Sequence, residues 1–210
     1  MEKQNKIRMS LTFDDGPNTM TTPNVLDVLE QFKVKASFFL VGQNITEETT
    51  PLIKRELADG CTIECHSWTH SAMPNFNKEQ IQDEIKRTCD LIEKCADGKR
   101  PKFFRPPYIA VNDLMYESID LPFICGHGVE DWEPKVTAEE RAKRVLDDVR
   151  DGEIILLHDL YGNDNTVEAL KTIIPAMLEK GVELCTVRDL FEKCGVNPNQ
   201  KSKLWTNVFE

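Results

Sequence analysis

Two adjacent carboxylates, Asp14 and Asp15, end the first apolar run of the chain and are followed by Gly16 and Pro17. Like charges this close raise each other's pKa, so a cation that binds them would offset the cost of the pair. Because side chains alternate along a strand, one carboxylate can bind a metal ion while the other faces a reacting group. On its own, the Asp-Asp-Gly-Pro sequence is also typical of a simple turn.

Histidines supply a second candidate site. His66 and His70 lie in one pentapeptide, and they could converge on a divalent ion either from a helix or from a loop. A pair of surface histidines is the alternative interpretation. A structural zinc site that adds Cys61 or Cys65 is a third, but in a strand both cysteines share a face with Ile63, which favours burial in the core.

A third polar cluster follows the run at residues 103–105. Arg105 is a residue type that can hold a carboxylate through two hydrogen bonds, although a surface arginine in a turn is the alternative. The stiff Pro106-Pro107 segment lacks two N–H donors and could present the Tyr108 N–H to a ligand. These residues therefore form a candidate binding loop.

Two more candidates lie in the C-terminal half of the chain. Trp132, which follows Asp131, would either form one wall of a sugar site or cover the core. His158 comes directly after the fully apolar run at residues 154–157. A single histidine at the end of a strand is usually structural, so its position relative to the other clusters matters more than its type.

Short apolar runs alternate with amphipathic stretches along the chain, which is typical of β/α repetition. Seven runs predict strands, at residues 8–13, 36–41, 62–65, 103–105, 123–125, 154–157 and 183–186. Five stretches carry helix start and stop signals, at residues 22–32, 48–58, 78–95, 138–150 and 167–179. Ligands of such folds bind at the carboxyl ends of strands, where every cluster above lies, so the clusters are predicted to meet at one rim.

The composition is that of a soluble domain with 210 residues and a formal net charge of −10. This charge argues against nucleic-acid or anionic-membrane partners, which attract basic patches. The seven cysteines include no CxxC pair and are expected to be reduced. Because no signal peptide or long apolar segment is evident, the sequence as it stands predicts a cytoplasmic protein. Secretion after removal of a signal peptide is the alternative.

Five motifs in order resemble those of the polysaccharide deacetylase family, also known as the NodB homology domain or carbohydrate esterase family 4. They are Thr-Phe-Asp-Asp-Gly-Pro, His-Ser-x-x-His, Arg-Pro-Pro-Tyr, Asp-Trp and Leu-Leu-His-Asp, within residues 8–193. Residues 101–109 and 131–190 are most similar to the clostridial acetyl xylan esterase branch. The resemblance implies an α/β fold, a distorted (β/α)7 barrel, with a catalytic domain at residues 1–195 and a polar tail at 196–210.

The resemblance also implies roles for particular residues. Asp15, His66 and His70 would bind one divalent metal ion, with zinc favoured and cobalt, nickel or manganese as alternatives. Asp14 would be the general base held by Arg105, His158 the general acid, and the Tyr108 N–H part of the oxyanion hole. The predicted substrate-binding residues are Pro107, Tyr108, Asp131, Trp132 and Leu156.

Two positions depart from the family pattern. Ile109 stands where the family commonly has glycine, and Gly128 stands where it usually has an aspartate that tunes the catalytic histidine. Glu130 or Asp131 could take over that second role. The esterase branch tolerates the same loss at position 128, which favours an ester substrate.

The predicted function is therefore metal-dependent removal of acetyl groups from a carbohydrate, with acetyl xylan as the favoured substrate and oligomeric state left open. N-deacetylation of a chitooligosaccharide or of peptidoglycan is the alternative within this class. A non-catalytic glycan-binding protein and a divalent-metal phosphoesterase are alternatives from other classes. The latter lacks a Gly-rich or Lys-bearing phosphate loop near the motifs.

Overall fold

Parallel strands and intervening helices make up residues 6–210, the part of the chain that this computed structural model describes. The strands are β1 Arg8–Asp14, β2 Ser37–Leu40, β3 Thr62–Cys65, β4 Phe123–Ile124, β5 His127–Gly128, β6 Glu153–His158, β7 Glu183–Leu184 and β8 Leu204–Trp205. The helices are α1 Thr21–Phe32, α2 Thr50–Ala58, α3 Lys78–Cys95, α4 Asp113–Ser118, α5 Ala138–Asp147, α6 Asp164–Glu179 and α7 Val187–Cys194. Residues 1–5 of the predicted domain lie outside the described residues.

The main sheet has the strand order β3-β2-β1-β6-β5, and β7 pairs with the first two residues of β1. Single bridges continue the sheet beyond β3, because Phe104 pairs with both Cys65 and Phe123, and β4 then pairs with β8. Asn207, just after β8, bridges back to Glu153 at the start of β6. The strands therefore close into an irregular barrel, in keeping with the predicted α/β fold.

The two central strands are buried on both faces, which explains their nearly continuous apolar sequences. Along β6, Ile155 packs into the layer between the strands and the helices, where Leu11 and Leu170 also lie. Its neighbour Ile154 packs into a second cluster with Phe39 and Trp205. This alternation fixes the register of β1 and β6, so their carboxyl ends, which carry the polar motifs, have defined positions.

The C-terminal segment differs from the predicted polar tail. Leu204–Trp205 forms a strand, and the Trp205 side chain, 1% exposed, packs edge-on against Phe191 with ring centroids 5.2 Å apart. Val208 is buried in the same cluster. A few isolated apolar residues are enough to close the barrel here, although they form no periodic pattern that predicts a strand.

Short elements account for most other differences from the sequence prediction. The sequence predicts none of β5, α4 and α7. The predicted strand at 103–105 is reduced to a bridge at Phe104, because Pro106 and Pro107 follow it directly and cannot donate to a strand ladder. The predicted bounds of α3 are confirmed, and a reciprocal capping box between Asn77 and Gln80 fixes its start. Among the described residues, no helix has the length and apolar character needed to span a membrane.

Candidate metal centre and catalytic cleft

An open cleft of about 500 Å³ lies at the carboxyl ends of β1, β3 and β6. It brings together five of the predicted site residues, which come from separate parts of the sequence: Asp14, Asp15, His66, His70 and His158. Apolar groups from Pro106, Tyr108, Ile109, Cys125, Trp132 and Leu156 form much of the remaining lining. In the structure, the polar clusters therefore meet at one rim, as the sequence predicts.

Asp15, His66 and His70 form a group whose ligand atoms lie within 4.8 Å of one another. Asp15 Oδ1 is 3.2 Å from Nε2 of His70 and 3.5 Å from Nε2 of His66. Ligand atoms bound about 2 Å from a tetrahedral metal ion would be roughly 3.3 Å apart, so these separations fit one ion. The Asp15 Oδ1 atom is also buried without a hydrogen-bond partner, which is consistent with a role as a metal ligand.

Hydrogen bonding and charge prepare these side chains to bind a cation. Nδ1 of His66 lies 2.8 Å from the Arg105 carbonyl oxygen, so it donates there and Nε2 is the ring nitrogen that faces the ligand group. Burial lowers the pKa of His70, which favours the neutral form that binds metals. Burial alone would raise the pKa of Asp15, but its contact with His66 lowers that pKa to about 2, so the carboxylate is ionised.

The two histidines converge from a loop, which decides between the helix and loop alternatives of the sequence prediction. Ser67 and His70 have φ values of 67° and 57°, which no α-helix contains. Glu84 of α3 accepts the N–H groups of Trp68 and Thr69, each at 2.8 Å, and Ser67 Oγ accepts the His70 N–H at 3.0 Å. Glu84 therefore holds the loop in shape, a role that its position on an amphipathic helix gave no reason to predict.

Asp14 is held by Arg105, and both side chains are almost completely buried. One guanidinium N–H donates to Asp14 Oδ1 at 2.6 Å, so the contact uses a single hydrogen bond rather than the expected pair. The Arg105 guanidinium also lies over the Phe39 ring, with 4.1 Å from Cζ to the ring centroid. Gly126 leaves space for it, because a Cβ there would lie 3.0 Å from Arg105 Nη2. The Asp14 side chain is thus held in one orientation, with its Oδ2 atom turned toward the metal-ligand group.

Asp131 holds His158 instead of lining the cleft, which corrects its predicted place against substrate. Its carboxylate accepts from the His158 ring Nδ1 at 2.7 Å and from the His158 backbone N–H at 2.8 Å. Burial alone would lower the pKa of His158, but Asp131 raises it to about 9. Asp131 therefore fills the tuning role left open by Gly128, whereas Glu130 pairs with Arg144 at the surface.

A buried network supports Asp131 from behind. Thr166 Oγ1 donates to Asp131 Oδ2 at 2.8 Å, and Arg141 donates to Thr166 at 2.9 Å. Asn163 donates to the His158 carbonyl at 2.9 Å and to Thr166 at 3.0 Å. No sequence motif identifies these residues. Asn163 and Thr166 lie near the start of a helix, where such residues are usually caps, and Arg141 would be expected to lie at the surface.

Residues 1–121 match the family model described as polysaccharide deacetylase. The chain belongs to this family. It is 49% identical over 205 residues to a bifunctional xylanase/deacetylase of Pseudobutyrivibrio xylanivorans, a match that covers 98% of this chain and 34% of that protein. The chain thus spans about a third of the length of that curated relative.

Solved structures agree with membership of the deacetylase family. The Xyl-CE4 domain of a multidomain xylanase from the hindgut metagenome of Trinervitermes trinervoides superposes with a TM-score of 0.95 at 45% identity, covering 98% of this chain and 99% of that one. A family 4 acetyl xylan esterase from Clostridium thermocellum, in complex with a cobalt ion, gives 0.92 at 41% identity, with 96% and 98% covered. The predicted family and its barrel fold are thereby confirmed.

The walls of this family cleft are largely aromatic and aliphatic. Trp132 packs edge-on against the His158 ring, with 5.3 Å between centroids, and Tyr108 lies 4.7 Å from the His70 ring while remaining 70% exposed. Pro107, predicted to contact substrate, is instead buried at the start of a 3₁₀ turn, and Pro106 lines the cleft in its place. The exposed faces of Tyr108 and Trp132 suit stacking against sugar rings.

A second group with metal-ligand chemistry, His127, Asp148 and Glu153, lies near the amino end of β6. Arg150 already contacts both carboxylates, at 2.5 Å to Glu153 and 3.2 Å to Asp148. The guanidinium group supplies the positive charge that a metal ion would otherwise provide. The Asp15 group, with its unpartnered buried oxygen, is therefore the better metal site of the two.

Proposed function

We propose that this chain is a divalent-metal-dependent esterase that removes O-acetyl groups from acetylated xylan. The observation that supports it is one cleft that holds a metal-ligand group, a buried carboxylate, Asp14, and a histidine held protonated by Asp131, His158. Ester hydrolysis needs a group that takes a proton from water and another that gives one to the leaving oxygen. The pKa of His158 is raised to about 9, so this residue carries the proton to be donated, while Asp14 Oδ2 faces the metal-ligand group.

A divalent ion held by Asp15, His66 and His70 would polarise the acetyl carbonyl and make a water molecule easier to deprotonate. Asp14 would accept the water proton, because its Oδ2 atom faces the ligand group, 3.6 Å from His66 Nε2, while Arg105 binds Oδ1. His158 would donate a proton to the departing sugar oxygen. The Tyr108 N–H would stabilise the negative charge that develops on the carbonyl oxygen.

Zinc is the metal ion that we propose for this site. One carboxylate and two imidazoles are a common ligand set for catalytic zinc, which keeps a position open for water or substrate. Cobalt, nickel and manganese accept the same ligand types, and the structure of the Clostridium thermocellum relative is a complex with a cobalt ion. Stripping the protein with a chelator and restoring each ion separately, with acetate release as the readout, would rank them.

The substrate proposal follows from the cleft walls and from the relatives. No lysine or arginine is among the described residues that line the cleft, and Arg105 is fully buried against Asp14. Such a surface suits an uncharged sugar chain and gives a phosphate ester no exposed lysine or arginine to bind. The named functions of the similar xylanase/deacetylase and acetyl xylan esterase support xylan.

The proposal is tested by acetate release from acetylated xylan and from N-acetylated chitooligosaccharides, with metal-loaded protein and with Asp14→Asn as the inactive control. We expect acetate release from acetylated xylan with a higher kcat/KM than from the N-acetylated chitooligosaccharides. Release from the N-acetyl substrate alone would replace the ester assignment with N-deacetylation. Sugar binding without acetate release from either substrate would indicate a non-catalytic glycan-binding protein.

A further inference from the structure

Asp159, which follows His158, is completely buried beneath the turn that carries the two acidic site residues. Its backbone N–H donates to the Asp14 carbonyl at 3.1 Å. Its own carbonyl accepts from Nδ2 of Asn18 at 2.6 Å. The backbone of Asp159 is thus tied to both ends of the segment 14–18, which contains Asp15.

The carboxyl group of Asp159 adds a third connection to this segment. Thr22 Oγ1, at the start of α1, donates to Asp159 Oδ2 and accepts the Asn18 N–H at 2.9 Å. A Cβ on Gly16 would lie 2.5 Å and 2.7 Å from the two carboxyl oxygens of Asp159. The carboxyl group therefore fills the space directly beneath Gly16, and position 16 has no room for a larger residue while Asp159 is present.

Asp15 needs such support because its backbone has a φ of 74°, in the left-handed region. A residue with a side chain is strained there and keeps this conformation only where its surroundings enforce it. The neighbours Asp14 and Gly16 are the points at which Asp159 makes contact. The direction of the Asp15 carboxylate is therefore set by contacts on both sides of the residue.

We propose that Asp159 is a positioning residue for metal binding, which acts by fixing the Asp14–Gly16 turn so that Asp15 Oδ1 points at His66 and His70. This inference rests on the proposed metal-dependent function. Position 16 is then a glycine because the Asp159 carboxyl group approaches its backbone closely. A side chain that only stabilised the fold would lower thermal stability without changing how tightly the folded protein binds a metal ion.

The test is titration of metal-free protein with Co²⁺, followed by its visible absorbance and by calorimetry. We expect Asp159→Ala to weaken Co²⁺ binding about 10–100-fold, the usual cost of losing an outer partner of a metal ligand. Asp159→Asn keeps the size of the group and an oxygen that accepts from Thr22. We therefore expect it to bind Co²⁺ within about threefold of the unaltered protein.

A double variant tests direct contact between Asp159 and Gly16. Gly16→Ala alone should weaken Co²⁺ binding, because the new methyl group displaces the Asp159 carboxyl. In Gly16→Ala/Asp159→Ala the space is free, so the loss should be smaller than the product of the two single losses. If the loss of Co²⁺ affinity in the double variant equals the product of the two single losses, the proposed contact is contradicted.

Two results separate failure of this inference from failure of the proposed function. Unchanged Co²⁺ affinity in folded Asp159→Ala, with only a lower melting temperature, would overturn the positioning role and leave the metal site intact. Absence of Co²⁺ binding by the unaltered protein would overturn the metal-dependent function and the inference together. Circular dichroism of each metal-free variant checks that it is folded.

Discussion

Asp14 and His158 are register partners on the adjacent parallel strands β1 and β6. Neighbouring strands lie about 4.8 Å apart, so this pairing places the proposed base and acid side by side at the edge of the cleft. Each has its own buried partner, Arg105 for Asp14 and Asp131 for His158. Asp131 keeps His158 protonated, whereas Arg105 binds Asp14 Oδ1 and leaves Oδ2 facing the metal-ligand group, so the two residues are prepared for different roles.

Replacing the proposed base should separate chemistry from metal binding. Asp14→Asn keeps the size of the side chain but removes its ability to take a proton, so we expect kcat to fall about 10²–10⁴-fold. Metal affinity should change little, because Asp15, His66 and His70 are unaltered. Acetate release and metal calorimetry on the same sample measure both effects, and near-native kcat would show that another group is the base.

Glu84→Gln tests how the histidine loop is held. The carboxylate accepts two backbone N–H groups through Oε2 and the Thr69 hydroxyl through Oε1. An amide supplies only one accepting oxygen, so the loop should loosen and metal affinity should fall about 10-fold or more.

Glu93→Gln is a matched control for Glu84→Gln. Glu93 lies on the same helix, and its carboxylate pairs with Arg100 at the surface. Calorimetry with Zn²⁺ should give this control the affinity of the unaltered protein. Equal affinities for both variants would mean that Glu84 does not position His66 and His70.

Ile109→Gly should change substrate binding more than the chemical step. Ile109 lines the cleft with a φ of 55°, a conformation that is costly for a β-branched residue. Because removing its side chain widens the cleft without touching the acid or the base, we expect KM to change by up to about 10-fold and kcat to stay within about twofold. Ala110→Gly, at the next position with ordinary backbone, is the control, and a loss confined to kcat would contradict this assignment.

The sequence predicts the parts of the site that depend on local order. Apolar runs that end in Asp14, His66, Arg105 and His158 predict strands, and the geometry of parallel strands then predicts that these residues meet at one edge. Each of these residues belongs to a recognisable motif. The sequence alone therefore predicts the metal-ligand group of Asp15, His66 and His70.

The residues that hold the site in shape could not be predicted in the same way. Glu84 is 14 positions after His70 and Asp131 is 27 positions before His158, so only the fold brings each to its partner. The short strands β5 and β8 have two residues each, too few for a periodic pattern, and their pairing supplies their stability. Long-range hydrogen bonds of this kind leave no trace in residue spacing.

The contact between His158 and Asp131 gives a pH-dependent prediction for the metal-free protein. Asp131 raises the pKa of His158 from 6.5 to about 9 despite the burial of the ring. A raised pKa in the folded state stabilises the protein fully below pH 6.5 and loses this contribution as the pH rises through 9. Asp131→Asn should remove most of it, so the variant's deficit in unfolding free energy should be largest near pH 6 and should shrink by up to about 3 kcal/mol toward pH 10.

The His158 ring proton followed by NMR measures that pKa directly. We expect it to fall toward 6.5 in Asp131→Asn, since burial is then opposed only by the smaller effects of Asp14 and Asp15. Asp148→Asn is the matched control, because it removes the carboxylate that lies 3.2 Å from a different histidine, His127. It should leave the His158 titration unchanged. A His158 pKa that stays near 9 in Asp131→Asn would mean that the nearby site carboxylates, rather than Asp131, keep this histidine protonated.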